Sequence, residues 1–272
     1  MFRNIFMKGH FITFEKQQIH YYKMGNGPEI ILAFHGFGLD GSSFLPFEPC
    51  FESKYTVYSF DLFYHGKSYW NNNNEPLSKI FWKEFIAYFL KDHKGKFSLL
   101  CFSLGGKFAL ATIEAFPERI DKVYFLAPDG IETSKWYSLA TYPYLLRQYF
   151  KSMIVKPKRF FRIVNFLKSL RLMDKGILKF ASSQMNTTKK RRRVYYSWLA
   201  FVELYFDLNE IARLINKNNI EVIMFLGEFD KIITEKGMSK LLRNVKKYDL
   251  HLLPCGHNHL ISHAAEYLNQ NR

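Results

Sequence analysis

Ser103 closes the apolar run FSLLCFS (97–103) and is followed at once by Leu104-Gly105-Gly106 and a helix-like pattern. A hydroxyl at such a seam either caps a helix or is a nucleophile raised on a sharp turn between a buried strand and a buried helix. The second reading needs small residues two places before and two places after the serine, because strand and helix nearly touch there. Cys101 and Gly105 meet that need. Attack on a carbonyl creates an oxyanion, which backbone N–H groups can hold. The His-Gly turn of FHGFG (34–38) offers the N–H of Phe37, and the helix start after Ser103 offers that of Leu104. Asp230 stands just beyond the apolar run in FLGEFDKII (225–233), and His257 just beyond the last one, in LPCGHNHL (253–260). A base and a carboxylate to orient it are what a serine nucleophile requires.

These residues need a scaffold that brings strand ends together. The runs EIILAFHG (29–36), YTVYSFDL (55–62), FSLLCFS (97–103), KVYFLAPD (122–129), EVIMFLGEFD (221–230) and YDLHLLPCG (248–256) read as strands buried on both faces. Residues 11–24 alternate and read as a hairpin ahead of them. Helical stretches lie at about 76–94, 104–116, 235–245 and 258–270. Strand and helix alternating in this way predict an α/β fold with a doubly wound, mostly parallel sheet. The rhythm stops after Gly130, the sixth strand being over, and resumes at Glu221. The expectation is a core of 1–130 and 219–272, with 131–218 a helical cap inserted over the carboxyl edge of the sheet, where open α/β sheets bind ligands.

Four blocks in this order resemble the α/β-hydrolase fold superfamily, in its capped, esterase-like group. The likeness covers roughly 11–130 and 219–270 and leaves the cap unmatched. Two departures stand out. Cys101 occupies a position where glycine is usual, and Tyr64 replaces the first glycine of the family's Asp-x-x-Gly-x-Gly-x-Ser turn, here Asp61 to Ser68. The resemblance implies a triad: Ser103 attacks a carbonyl carbon, His257 takes and returns the proton, Asp230 orients His257, and Phe37 and Leu104 hold the oxyanion. It implies hydrolysis of a carboxylic ester or thioester of a small-molecule acyl substrate, without metal or organic cofactor. Rival readings are carbon–carbon bond hydrolysis or a lyase on the same triad, and a non-catalytic binding protein on the same scaffold.

Each role has competitors. Asp129 ends its own strand and rivals Asp230, but Asp129-Gly130 also reads as a plain turn. His259 and His263 rival His257, and the pair Gly256-His257 fits the family's strand-end loop best. His35 and His65 read as braces of their turns, and His10, His20, His93 and His251 as surface or strand residues without motif context. Cys101, inside a buried strand, reads as an inert core thiol.

Composition bounds the rest. Three cysteines give neither a disulfide framework nor a metal spacing, which fits a reducing, cytoplasmic setting. The N-terminal residues show no secretory pattern, and no apolar run is long enough to span a bilayer. The net charge is +15, yet residues 131–218 hold 18 Lys and Arg against 5 Asp and Glu, while the remainder holds 21 against 19. No nucleic-acid-binding module accompanies this charge, which argues against nucleic acid. An anionic substrate drawn to the cap, or an anionic membrane touched peripherally, are the partners that fit. The run KKRRR (189–193) reads as a solvated helix start, and WYSLATYPYLL (136–146) as an acyl-pocket lining or cap core.

Overall fold

The computed structural model describes residues 8–51, 53–71, 75–132, 144–172 and 174–271, so most of the aromatic stretch at 136–146 lies outside the described residues. Eight strands form one sheet: β1 (Lys8–Phe14), β2 (Gln17–Met24), β3 (Glu29–Phe34), β4 (Tyr55–Phe60), β5 (Phe97–Phe102), β6 (Ile120–Leu126), β7 (Glu221–Gly227) and β8 (Tyr248–Leu253). Their order across the sheet is β1-β2-β4-β3-β5-β6-β7-β8. The β1–β2 and β2–β4 pairs are antiparallel and every other pair is parallel. The doubly wound sheet expected from the apolar runs is therefore present.

Helices accompany it as α1 (Glu48–Phe51), α2 (Lys79–Phe89), α3 (Gly105–Ala115), α4 (Tyr144–Ser152), α5 (Lys158–Ser169), α6 (Lys175–Gln184), α7 (Thr188–Ala200), α8 (Leu208–Lys217), α9 (Glu235–Leu242) and α10 (Leu260–Gln270). β5 buries all of its residues and β3 and β7 most of theirs, because helices cover both faces. β1 and β8, at the two edges, keep several residues exposed. The strand order reverses about β3, so the carboxyl ends of β3 and β5 lie side by side, with Phe34 paired to Cys101. Such a switch point opens a crevice at the strand ends.

By their contacts the residues divide into two units, one of Met1–Asn71, Ser78–Glu132 and Leu204–Arg272, the other of Asn72–Leu77 and Thr133–Glu203. The sheet-bearing unit thus claims residues 204–218, which the sequence pattern groups with the insertion. Helix α8 explains the difference: its apolar face, with Ile211, Ala212 and Ile215 buried, packs on α3 and α9 as the helix leading into β7. The second unit has its own apolar contacts. Val164, Leu167 and Leu178 form a small core between α5 and α6, and Phe150 meets the rings of Tyr195 and Trp198.

Within that unit the KKRRR run is not uniformly solvated. Arg191 is buried and donates to the carbonyls of Ile154 at 2.8 Å and Met185 at 3.0 Å and to Thr188 Oγ1 at 2.9 Å. Ile154 lies just past α4 and Met185 just past α6, so one guanidinium serves two helix C-terminal ends, where unpaired carbonyls and the dipole favour a cation. Replacing it by Arg191→Leu leaves those carbonyls without that donor, at about 1–3 kcal/mol for each buried acceptor left unmet. The expected outcome in limited proteolysis under mild urea is faster cleavage confined to 144–203. A cleavage pattern matching the parent's would show that Arg191 does not hold the unit together.

Candidate active site

Ser103 follows β5 with φ of 49°, the left-handed region that ordinary residues avoid. Holding a non-glycine residue there costs on the order of 1–3 kcal/mol. The surrounding backbone enforces it. The Ser103 N–H donates to the Leu126 carbonyl at 3.0 Å, and its own carbonyl accepts from the N–H groups of Gly106 and Asp129, both at 2.8 Å. Glycine at 105 is a steric necessity: a Cβ there would fall on the carbonyl oxygen of Phe34. Gly106 faces the Asp129 carbonyl and the Pro128 ring in the same way. The turn therefore lifts the serine off the end of β5, where it stays partly exposed.

Beyond β7, Asp230 is buried and its carboxylate is fully engaged. Oδ1 accepts from the N–H groups of Ile232 at 2.8 Å and Ile233 at 3.0 Å, and Oδ2 meets His257 Nδ1 at 2.6 Å. A carboxylate only accepts, so Nδ1 carries a proton, and in the neutral imidazole Nε2 then keeps its lone pair. That nitrogen lies 3.0 Å from Ser103 Oγ. The hydrogen bonds thus run from the serine hydroxyl to the imidazole to the carboxylate. The structure brings Ser103, Asp230 and His257 together across 154 residues of chain. The rivals lie elsewhere. Asp129 spends Oδ1 on the N–H of Gly130 at 2.7 Å, His259 is exposed, and His263 sits on α10.

The turn after β3 is braced by His35, which is fully buried. Its Nε2 accepts from the Leu62 N–H at 2.9 Å, so Nδ1 bears the proton and donates to the Gly36 carbonyl at 2.8 Å. His65 packs its ring on His35 and edge-to-face on Phe37. Both histidines thus set the backbone on which Phe37 sits. The Leu104 N–H, at the start of α3, finds no acceptor among the described residues.

Two participants escape the sequence reading. Phe102 places its ring 4.9 Å from that of His257 and fills the space beside Gly36, where a Cβ would collide with it. His20, in β2, forms a buried pair with Asp61, Nδ1 to Oδ2 at 2.8 Å. Asp61 also accepts from the N–H groups of Gly41 and Lys67, each at 2.8 Å, and so ties together the loops behind the His-Gly turn. A Cβ on Gly66 would strike that carboxylate, and Tyr64 adopts φ of 65° in the same turn.

The family described as alpha/beta hydrolase fold matches residues 29–264. The chain belongs to that family. Solved structures of the fold agree with it over nearly their whole length. An esterase from Thermogutta terrifontis superposes with a TM-score of 0.66 at 17% identity, covering 94% of this chain and 91% of its own. The thioesterase domain of the curacin biosynthetic pathway gives 0.63 at 14%, covering 97% and 98%. The naproxen esterase of Bacillus subtilis gives 0.64 at 17%, covering 98% and 90%. Comparison with curated proteins gives no match. No trio of His, Cys, Asp or Glu placed to hold a metal occurs among the described residues, and no helix there is long and apolar enough to cross a membrane.

The α/β-hydrolase turn here carries Cys101 two residues before Ser103, buried between Phe34 of β3 and Phe125 of β6 in register. Desolvation pushes its thiol far above the ordinary cysteine value, which keeps it protonated and unreactive. Alkylation of the native protein with iodoacetamide is expected to label the partly exposed Cys50 first and to spare Cys101 until the chain unfolds. Peptide mapping by mass spectrometry reads the order, and early labelling of Cys101 would put a reactive thiol beside the serine.

Proposed function

We propose that this chain is a serine hydrolase that cleaves a carboxylic ester or thioester through an acyl-enzyme. The carrying observation is the unbroken hydrogen-bond line Ser103–His257–Asp230 at 3.0 and 2.6 Å, set on a serine held in a left-handed turn. In the proposed reaction, Ser103 Oγ bonds to the acyl carbon as its proton passes to His257 Nε2. The carbonyl π pair moves onto oxygen, where the N–H groups of Phe37 and Leu104 receive it. Collapse expels the alkoxide or thiolate, which leaves with the proton from Nε2. Water then repeats the sequence on the acyl-serine, giving the carboxylic acid and free Ser103. Asp230 stays ionised throughout, keeping the proton on Nδ1 and stabilising the imidazolium.

Two further facts support the reading over a non-catalytic scaffold. A serine occupies the left-handed turn at 103 although a glycine there would relieve the strain. Phe102 and the His35 brace fix elements that a mere binding surface has no need to fix. The similar structures named as esterases and a thioesterase lend the substrate class.

The test is labelling by a fluorophosphonate probe, followed by turnover of p-nitrophenyl esters and acyl-thioesters of graded chain length. Ser103→Ala should abolish labelling altogether, and labelling that survives the substitution would sink the assignment. Asp230→Asn should lower kcat by about 10⁴, the loss typical of a triad whose histidine takes the wrong tautomer. Asp129→Asn should leave kcat within a small factor. A reversal of those two results would move the acid to the end of β6.

A further inference from the structure

The charge excess and the exposed apolar side chains of this chain coincide in one place. Residues 144–172 contain eight Lys and Arg and no Asp or Glu. The same 29 residues hold nine of the nineteen large apolar side chains that stand exposed among the described residues. Leu145 is 78% exposed, Val155 80%, Phe166 61% and Leu172 64%. A helix kept soluble by charge carries both signs and hides its leucines. This segment does the opposite on both counts.

The pattern has a geometry. Helix α5 buries Val164 and Leu167 in its unit's core and exposes Ile163 and Phe166, and Leu170, which caps its C-terminus, is exposed as well. Spacings of three and four put the exposed trio on a second stripe of the same helix. Arg159 and Arg162 fall on or beside that stripe by the same periodicity. On and beside α4, Arg147 lies over the ring of Tyr144 and Arg159 over that of Tyr149, with both tyrosines exposed. No ion pair to a carboxylate is made by this segment among the described residues. Exposed tyrosine and arginine side by side, with leucine and phenylalanine projecting further, suit the boundary between lipid headgroups and acyl chains. The helices are far too short to span a bilayer and are well suited to lie along one.

We propose that the segment 144–172 is a docking surface for an anionic lipid bilayer, its basic side chains meeting the headgroups and Leu145, Val155, Phe166, Leu170 and Leu172 entering the acyl boundary. Charge complementarity selects a negative partner, and the projecting apolar residues select lipid over a polar polyanion such as nucleic acid, whose phosphates would leave them in water. This surface stands independently of the chemistry proposed for Ser103.

The experiment is sedimentation of the full chain with vesicles of phosphatidylcholine alone and of phosphatidylcholine mixed with phosphatidylserine, across a salt series. Binding is expected only to the mixed vesicles, weakening steeply with salt. Lys158→Gln with Arg162→Gln should lower the partition coefficient about tenfold or more. Phe166→Ser with Leu170→Ser should lower it comparably while the salt dependence stays, because the apolar term is not screened. Ile80→Ser, removing an exposed apolar residue of the sheet-bearing unit, should leave it unchanged. Thermal melting of each variant, expected to match the parent, separates lost binding from lost folding. The proposal is overturned if mixed vesicles do not bind, if both vesicles bind equally, if Ile80→Ser matches the Phe166 variant, or if an oligonucleotide binds more tightly than the mixed vesicles.

Discussion

Helix α3 begins so close to strand β3 that the smallest side chain at position 105 would fall on the Phe34 carbonyl oxygen. That crossing dictates the rest of the candidate site. With α3 held against β3, the short chain linking β5 to α3 can turn only sharply, and Ser103 at the apex is driven into the left-handed region. Three backbone hydrogen bonds reaching to β6, to the segment after it and to α3 then hold the apex against its own preference. A strained residue that is held on several sides is also an immobile one. Its hydroxyl can therefore be met by an imidazole arriving from a different strand without search or rearrangement.

The same economy of motion governs the flanks. His35 exchanges both ring nitrogens with backbone, fixing the loop that bears Phe37. The buried carboxylate of Asp61 collects two backbone N–H groups and a histidine, and so joins β2 to the backbone at Gly41 and Lys67. Asp230 is likewise anchored by two N–H groups before it meets His257. Asp61 and Asp230 are each satisfied by two backbone N–H groups and a histidine, which offsets the penalty of burial and leaves a single orientation.

Much of this was legible in the sequence, and the reasons differ by feature. The apolar runs identified the parallel strands because burial on both faces leaves no alternation to confuse. That Ser103, Asp230 and His257 would meet was legible because each stands immediately after such a run. The boundary near 204–218 was not, since α8 is amphipathic and basic at its end and looks like its neighbours upstream until its packing on α3 is seen. Phe102 could not be told from any other phenylalanine in a run where every residue is buried. His20 meets its carboxylate across 41 residues, a separation no local motif reports. Arg191 was hidden by its company, because five cations in a row read as solvated and only the fold shows which one turns inward.

The position of His257 sets a timetable for the molecule. β8 is one of the sheet's two edge strands and pairs to β7, and the imidazole stands just beyond it, 154 residues downstream of the serine. Contacts of such separation form late, after the loop between them has been closed at an entropic cost. A chain growing from the ribosome would complete its strained turn at Ser103 well before any base exists to activate it. On the proposed chemistry, competence switches on only as β8 docks. An unfinished or truncated chain would carry the hydroxyl without the imidazole that meets it.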